Sequence, residues 1–266
     1  LFRSTPANIK QDVFGATTDH YGYNYSVNSF YQANSQGRLK LVGNTNPDGD
    51  VYGWITLNTP SLYPTVTDCP RVMWEDMANK ELANNGIDLS VYDHIIYMFP
   101  QAGTCFTGGI ANLPGPISSI HNTTDTSVIA HEFGHNLGLT HANALVNCRD
   151  QNGFLATTIT INGCVSKEYA DDYDVMGNGP GGGLGNYNFL NARHREQMGW
   201  LDPASIAQTT TNGEYILQDI SNPNNTGLRA IKIPVPSKKS GTTTYYIEYR
   251  SGIYGDGFSG ILERYF

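Results

Sequence analysis

Apolar positions along this chain follow two rhythms, and the places where one gives way to the other mark its elements. Ile129, Phe133 and Leu137 fall four residues apart, the spacing of one face of an α-helix. Asp125, Thr126 and Ser127 offer caps at the start of that helix, and Gly138 suits the left-handed position just past its end. Met73, Met77 and Leu82 give Arg71–Asn85 helical spacing up to Gly86. Ser4-Thr5-Pro6 reads as a cap with proline at the first helical position, which predicts a helix over Pro6–Phe14. Ser26–Ser35 reads as a further helix, ended near Gly37. Extended runs lie between them. Arg38–Val42 and Val51–Leu57 flank the Asn-Pro-Asp-Gly-Asp turn at 46–50, and the apolar HIIYMF occupies His94–Phe99. Gly108–Leu113 and Ile117–His121 flank Pro114-Gly115-Pro116 as strand, turn and strand. Alternating strand and helix predict a twisted, mostly parallel sheet with helices packed on it, an α/β (α+β) architecture.

Beyond His141 the periodicity fades, and turn residues dominate to about Asn188. Tyr187–Trp200, with Leu190, His194 and Met198, reads as one last helix. Glu214–Ile220, Leu228–Val235, Tyr245–Arg250 and Gly260–Phe266 then read as strands of a β-rich tail.

The chemistry lies on the helix first described, in His131–His141, HEFGHNLGLTH. His131 and His135, four residues apart, project from the same side of a helix and bring two imidazoles to one point. The turn at Gly138 lets His141 supply a third nitrogen from outside the helix. Three protein ligands leave the fourth position of a tetrahedral zinc open for water, and Glu132 beside the first ligand is the natural general base for it. A core helix with ordinarily hydrogen-bonded histidines is the plain alternative. It would require three histidines, a glutamate and a glycine to match by chance, on the order of 10⁻⁵ per chain. His20, His94 and His121 have no spacing that points to a site. The run Asn44-x-Asn46-x-Asp48-Gly49 faintly echoes a Ca²⁺ loop, but Ile55 stands where the closing glutamate belongs, which favours a plain turn.

Composition narrows the partners. A net charge of −8 argues against nucleic acid and anionic membrane surfaces, and no apolar run reaches the length of a membrane span. Charged residues make up only 15% of the chain, while Gly (29) and Tyr (17) are abundant.

The extended motif H-E-x-x-H-x-x-G-x-x-H resembles that of the metzincin metallopeptidases. Tyr173–Gly177, YDVMG, looks like the methionine turn that those enzymes carry beneath the metal. Among metzincins, SFYQANSQGRLKLVG, HNLGLTHA, EYADDYDVMGN and NARHREQMGWL resemble the gametolysin-like secreted peptidases, sampling most of Ser29–Leu201. The resemblance implies a metzincin catalytic domain over 1–202, divided near 141, with 203–266 as a β-rich extension packed on it or opening a further module. It implies a secreted, monomeric zinc endopeptidase that acts on protein or peptide substrates. Its one catalytic Zn²⁺ would be held by His131, His135 and His141, with Glu132 activating the zinc-bound water. Some metzincins place a tyrosine two residues after the turn methionine. Here that position is Asn178, leaving Tyr173, Tyr187 and His194 as unranked candidates for the role. A zinc hydrolase of a non-peptide amide or cell-wall glycoprotein linkage, and a non-catalytic zinc-binding protein, are the alternative readings. Metzincins normally open with a strand before the first helix; none is visible here, so a processed or partial product is expected.

The four cysteines, Cys69, Cys105, Cys148 and Cys164, include no C-x-x-C pair. In an extracellular-type enzyme the even count favours two disulfides among three possible connectivities, with Cys69–Cys105 and Cys148–Cys164 preferred. Asn24, Asn122 and Asn224 begin N-x-S/T triplets.

Overall fold

The first helix, α1 (Pro6–Phe14), forms where proline and its cap predict it, with Thr5 Oγ1 accepting from the Asn8 amide at 3.1 Å. The structure is a computed structural model that describes residues 4–17, 25–57, 69–99, 105, 108–149, 152, 165–177, 188–237, 241–252 and 259–265. It divides into two compact units, Leu1–Phe30 with Lys40–Thr140, and Tyr31–Leu39 with His141–Phe266.

Helix α2 (Val27–Ser35) starts with a reciprocal serine cap. Ser29 N donates to Ser26 Oγ at 3.0 Å, and Ser26 N donates to Ser29 Oγ at 2.9 Å. Arg38–Val42 and Val51–Leu57 do not form the expected strands. Side chains of α2 take the first segment's amides instead: Leu39 N donates to Ser35 Oγ and Leu41 N to Asn28 Oδ1, each at 2.9 Å. An amide committed to a side chain is lost to a ladder. The 44–50 segment closes on itself as a turn. Asp50 accepts from the Thr45 and Asn46 amides, and Asn46 Oδ1 accepts from Asp48 N, so these oxygens serve backbone donors.

Helix α3 (Arg71–Asn84) precedes the sheet of the first unit. Strand β1 (Ile95–Phe99) pairs in parallel with β3 (Ile117–His121), and β2 (Gly109–Ala111) pairs antiparallel with β3, in the order β1-β3-β2. The sheet is therefore mixed, and among the described residues smaller than the mostly parallel one expected. Helix α4 (Thr126–Asn136) packs on β2 and β3. Asp125 caps it by accepting from Ser127 N at 2.9 Å. Ile129 and Phe133 are buried with Ile120 of β3, and the Phe133 ring meets His94 edge-on at 5.1 Å.

In the second unit, β4 (Ala144–Val146) and β5 (Val165–Lys167) form an antiparallel pair. The last predicted helix is α5 (Ala192–Gln197), shorter than Tyr187–Trp200, with Asn191 Oδ1 capping it at His194 N. The tail folds into a four-stranded sheet in the order β6 (Ile206–Gln208), β7 (Ala230–Ser237), β8 (Gly241–Ser251) and β9 (Ser259–Tyr265). Glu214–Ile220 is not one of its strands. Ile216 is 88% exposed, so that run does not present the apolar face a strand would bury. Ala192, Leu201, Ile220, Ala230 and Tyr246 make a shared core between α5 and the sheet.

Candidate metal centre

Helix α4 carries His131 and His135 as neighbouring rings, with centroids 4.8 Å apart. It ends in a paired closure: Leu139 N donates to Gly134 O at 2.9 Å and Gly138 N to His135 O at 2.8 Å. Gly138 takes φ +96°, a conformation that side-chain-bearing residues rarely adopt. The closure returns Leu139 O to within 2.7 Å of His135 Nδ1. A carbonyl only accepts, so that nitrogen carries the hydrogen and Nε2 keeps its lone pair.

His141 is oriented in the same way by a different partner. Its Nδ1 lies 2.6 Å from Glu168 Oε1, and its ring lies against Tyr169, tilted by 35° with centroids 3.8 Å apart. A carboxylate likewise demands the Nδ1–H tautomer and leaves Nε2 for a metal. Glu168 had no signal in the sequence, because the β4–β5 pairing that brings it beside His141 closes a long loop. Ligand atoms of His131, His135 and His141 lie within 4.8 Å of one another. Imidazole nitrogens held in one tautomer with lone pairs to spare suit a borderline ion such as zinc.

Glu132 is buried beside the first histidine. Burial pushes its carboxyl up to about 7. Strand β2 passes directly over it: a Cβ on Gly109 would stand 2.5 Å from Glu132 Cγ and 2.8 Å from Cδ. Four residues on, Asn136 ties the helix end to the β2–β3 hairpin. Its Oδ1 accepts from Ser118 Oγ at 2.6 Å, and its Nδ2 donates to Ile117 O at 2.9 Å and Asn112 O at 3.2 Å. Val128, Glu132 and Asn136 thus form the helix face under β2, with Val128 facing Gly108. Asn136 was within the motif but carried no signal, since x positions of a metal motif are unconstrained in principle.

Met176 is fully buried, and its carbonyl accepts from Ala142 N at 2.9 Å, while Asp171 N donates to Ala142 O at 3.1 Å. Asp174 anchors this loop. Its Oδ1 accepts from Met176 N at 2.7 Å, and its Oδ2 accepts from Asn191 N at 2.7 Å and contacts His194 Nδ1 at 2.9 Å. Burial alone would raise the Asp174 carboxyl, but His194 and the two amides outweigh it and hold it below its ordinary value. His194 is therefore a buried anchor, and Tyr173 gives its backbone carbonyl to Arg250. Asn178 and Tyr187 lie outside the described residues, as do His20 and Asn24.

Cys69 and Cys105 form a disulfide, as expected. Cys148 is also disulfide-bonded, and its expected partner Cys164 lies outside the described residues. Ligand-type atoms of Cys69, Cys105 and His121 come within 4.8 Å, but sulfurs joined to each other offer no thiolate to a metal. No helix among the described residues is long and apolar enough to cross a membrane, and the disulfide fits an extracellular setting.

Residues 23–142 match the model of metallo-peptidase family M12B, reprolysin-like. No curated protein matches the chain. The matched span contains all of α4 and His141, and it supports a metzincin-type zinc metallopeptidase acting on protein or peptide substrates. The mixed α/β architecture is compatible with that fold. Family match and three-histidine cluster together suggest a zinc ion.

Proposed function

We propose that this chain is a secreted zinc endopeptidase of the gametolysin-like type, with His131, His135 and His141 as ligands and Glu132 as general base. We propose further that residues 1–202 form its catalytic domain and 203–266 an extension packed on it. The observation that carries the reading is the matched orientation of His135 and His141. Both commit Nδ1 to an acceptor-only partner, within a cluster whose ligand atoms lie 4.8 Å or less apart. His194 likewise commits Nδ1 to a carboxylate, so what sets His135 and His141 apart is that their ligand atoms converge with those of His131.

Bound zinc supplies Lewis acidity toward water and a scissile carbonyl. The chain's own residues do the rest. Glu132, lodged under β2, takes a proton from the attacking water and returns it to the departing amine. Among the described residues β2 pairs only with β3, so its other edge faces away from the sheet with main-chain donors and acceptors. An extended substrate would pair with that edge, gaining affinity from backbone hydrogen bonds. Asn136 fixes β2 relative to Glu132, which fixes where the scissile bond lies. Met176 serves as packing in the turn that holds Ala142.

Cleavage of a generic protein substrate, with and without a chelator, tests the reading. Chelation should abolish cleavage and zinc should restore it. Glu132→Ala should keep zinc and lose about 10²–10⁴-fold in turnover. A Glu132→Ala variant within a few-fold of the parent would refute the base.

A further inference from the structure

The buried pair Glu248–Arg250 stands out in the second unit because both side chains are fully inaccessible, in a β-rich tail to which the sequence assigned no chemistry. Arg250 Nε and Nη2 meet Glu248 Oε1 at 2.8 and 2.6 Å. A buried ion pair is seldom more stabilising than apolar residues of the same volume, so stability alone does not account for it. What an apolar pair lacks is donors and acceptors for other groups. Arg250 Nη1 donates to Tyr173 O at 2.9 Å, and Glu248 Oε2 accepts from Ala192 N, in the first turn of α5.

Both contacts lead to the same loop. Tyr173 N donates to Asp171 Oδ1 at 3.0 Å, and Asp171 N donates to Ala142 O. Ala142 N donates in turn to Met176 O, so the residue after His141 is clasped by its amide and its carbonyl. From the other side, Asn191 beside Ala192 binds Asp171 Oδ2 at 3.2 Å through Nδ2 and Asp174 Oδ2 through its amide. The loop has no slack: a Cβ on Gly177 would stand 1.9 Å from Asp171 O.

We propose that Glu248 and Arg250 are positioning residues for His141, and that the C-terminal sheet is thereby part of the metal-binding machinery. The pair holds Tyr173 O and the start of α5. Those hold Asp171 and Asp174, and the loop they anchor fixes the backbone on which His141 is carried. The proposal rests on the reading of His131, His135 and His141 as zinc ligands.

Zinc affinity, measured by competition with a chromophoric chelator, separates positioning from mere folding. Glu248→Leu/Arg250→Met keeps volume and removes both charges together, so no buried charge is left alone. Arg250→Lys keeps the charge but loses the fork that reaches Tyr173 O. Each folded variant, with thermal unfolding as the control, should bind zinc at least about tenfold more weakly than the parent. A folded variant within about twofold of the parent overturns the proposal. Parent and His135→Ala protein are measured alongside. If both bind zinc equally, the three-histidine reading fails first, and this one with it. Native-state hydrogen exchange on the unsubstituted chain gives a second test that needs no variant. The amides of Ala142, Asp171 and Met176 should open together with those of β8. Opening of the loop while β8 stays protected overturns the proposal.

Discussion

His131 and His135 take their positions from one helix, whereas His141 takes its position from a loop anchored far along the chain. For the first pair, four-residue spacing, the Asp125 cap and the closure at Gly138 are all local. For the third, the determinants are Glu168 on its ring and the polar network of Asp171, Asp174, Asn191 and His194 around Ala142. A helix places side chains through backbone geometry that any helix-forming sequence repeats. An irregular loop has no such repeat, and each of its buried polar groups needs its own partner. The proposed metal site, built from both kinds of support, should therefore fail in two different ways.

The largest difference is expected from substitutions that touch only one kind. Gly109→Ala forces the Glu132 side chain to move while leaving the α4 backbone and the ligand nitrogens in place. Zinc content should be unchanged and turnover should fall by roughly 10²-fold, the lower range for loss of a positioned base. Unchanged turnover would mean that Glu132 acts from a position β2 does not set.

Glu168→Gln tests the loop side. It leaves a side-chain oxygen able to accept from His141 Nδ1 but removes the carboxylate charge beside the ring. The Glu168 side chain is 65% exposed, which screens the effect, so zinc affinity should weaken by about tenfold, the low end for such partners. Equal affinity would mean that the Glu168 charge does not support the third histidine, and would shift weight to the Tyr169 ring and the Ala142 clasp.

The split also explains what the sequence disclosed. Pro6–Phe14, Ile117–His121 and α4 were legible because caps, breakers and periodicity are read within a few residues. The clustering of His131, His135 and His141, on which the proposed zinc site rests, was legible for the same reason. Arg38–Val42 misled because its alternation suits a strand, and nothing local says that Ser35 and Asn28 capture its amides. The contacts of Glu168 with His141, of Glu248 with Ala192 and of Arg250 with Tyr173 were invisible because each joins residues far apart in the chain.

A smaller effect is expected from acid. The Asp174 carboxyl titrates below its ordinary value in the folded chain, so between the two values the unfolded chain binds more protons. Its contribution to stability is complete above about pH 4, the unfolded value, and is lost as pH falls through the lower folded value. Asp174→Asn should thus be less stable than the parent at neutral pH, with the gap narrowing below about pH 4 in denaturant titrations. A gap that stays constant with pH would mean that the carboxylate charge is not what holds the loop.

Zinc bound per chain, measured by elemental analysis after dialysis against metal-free buffer, addresses the central claim most directly. The parent should retain one equivalent, and His135→Ala and His141→Ala should each retain almost none while staying folded. Full zinc retention in either variant would contradict the three-histidine centre, from whichever kind of support its missing ligand came.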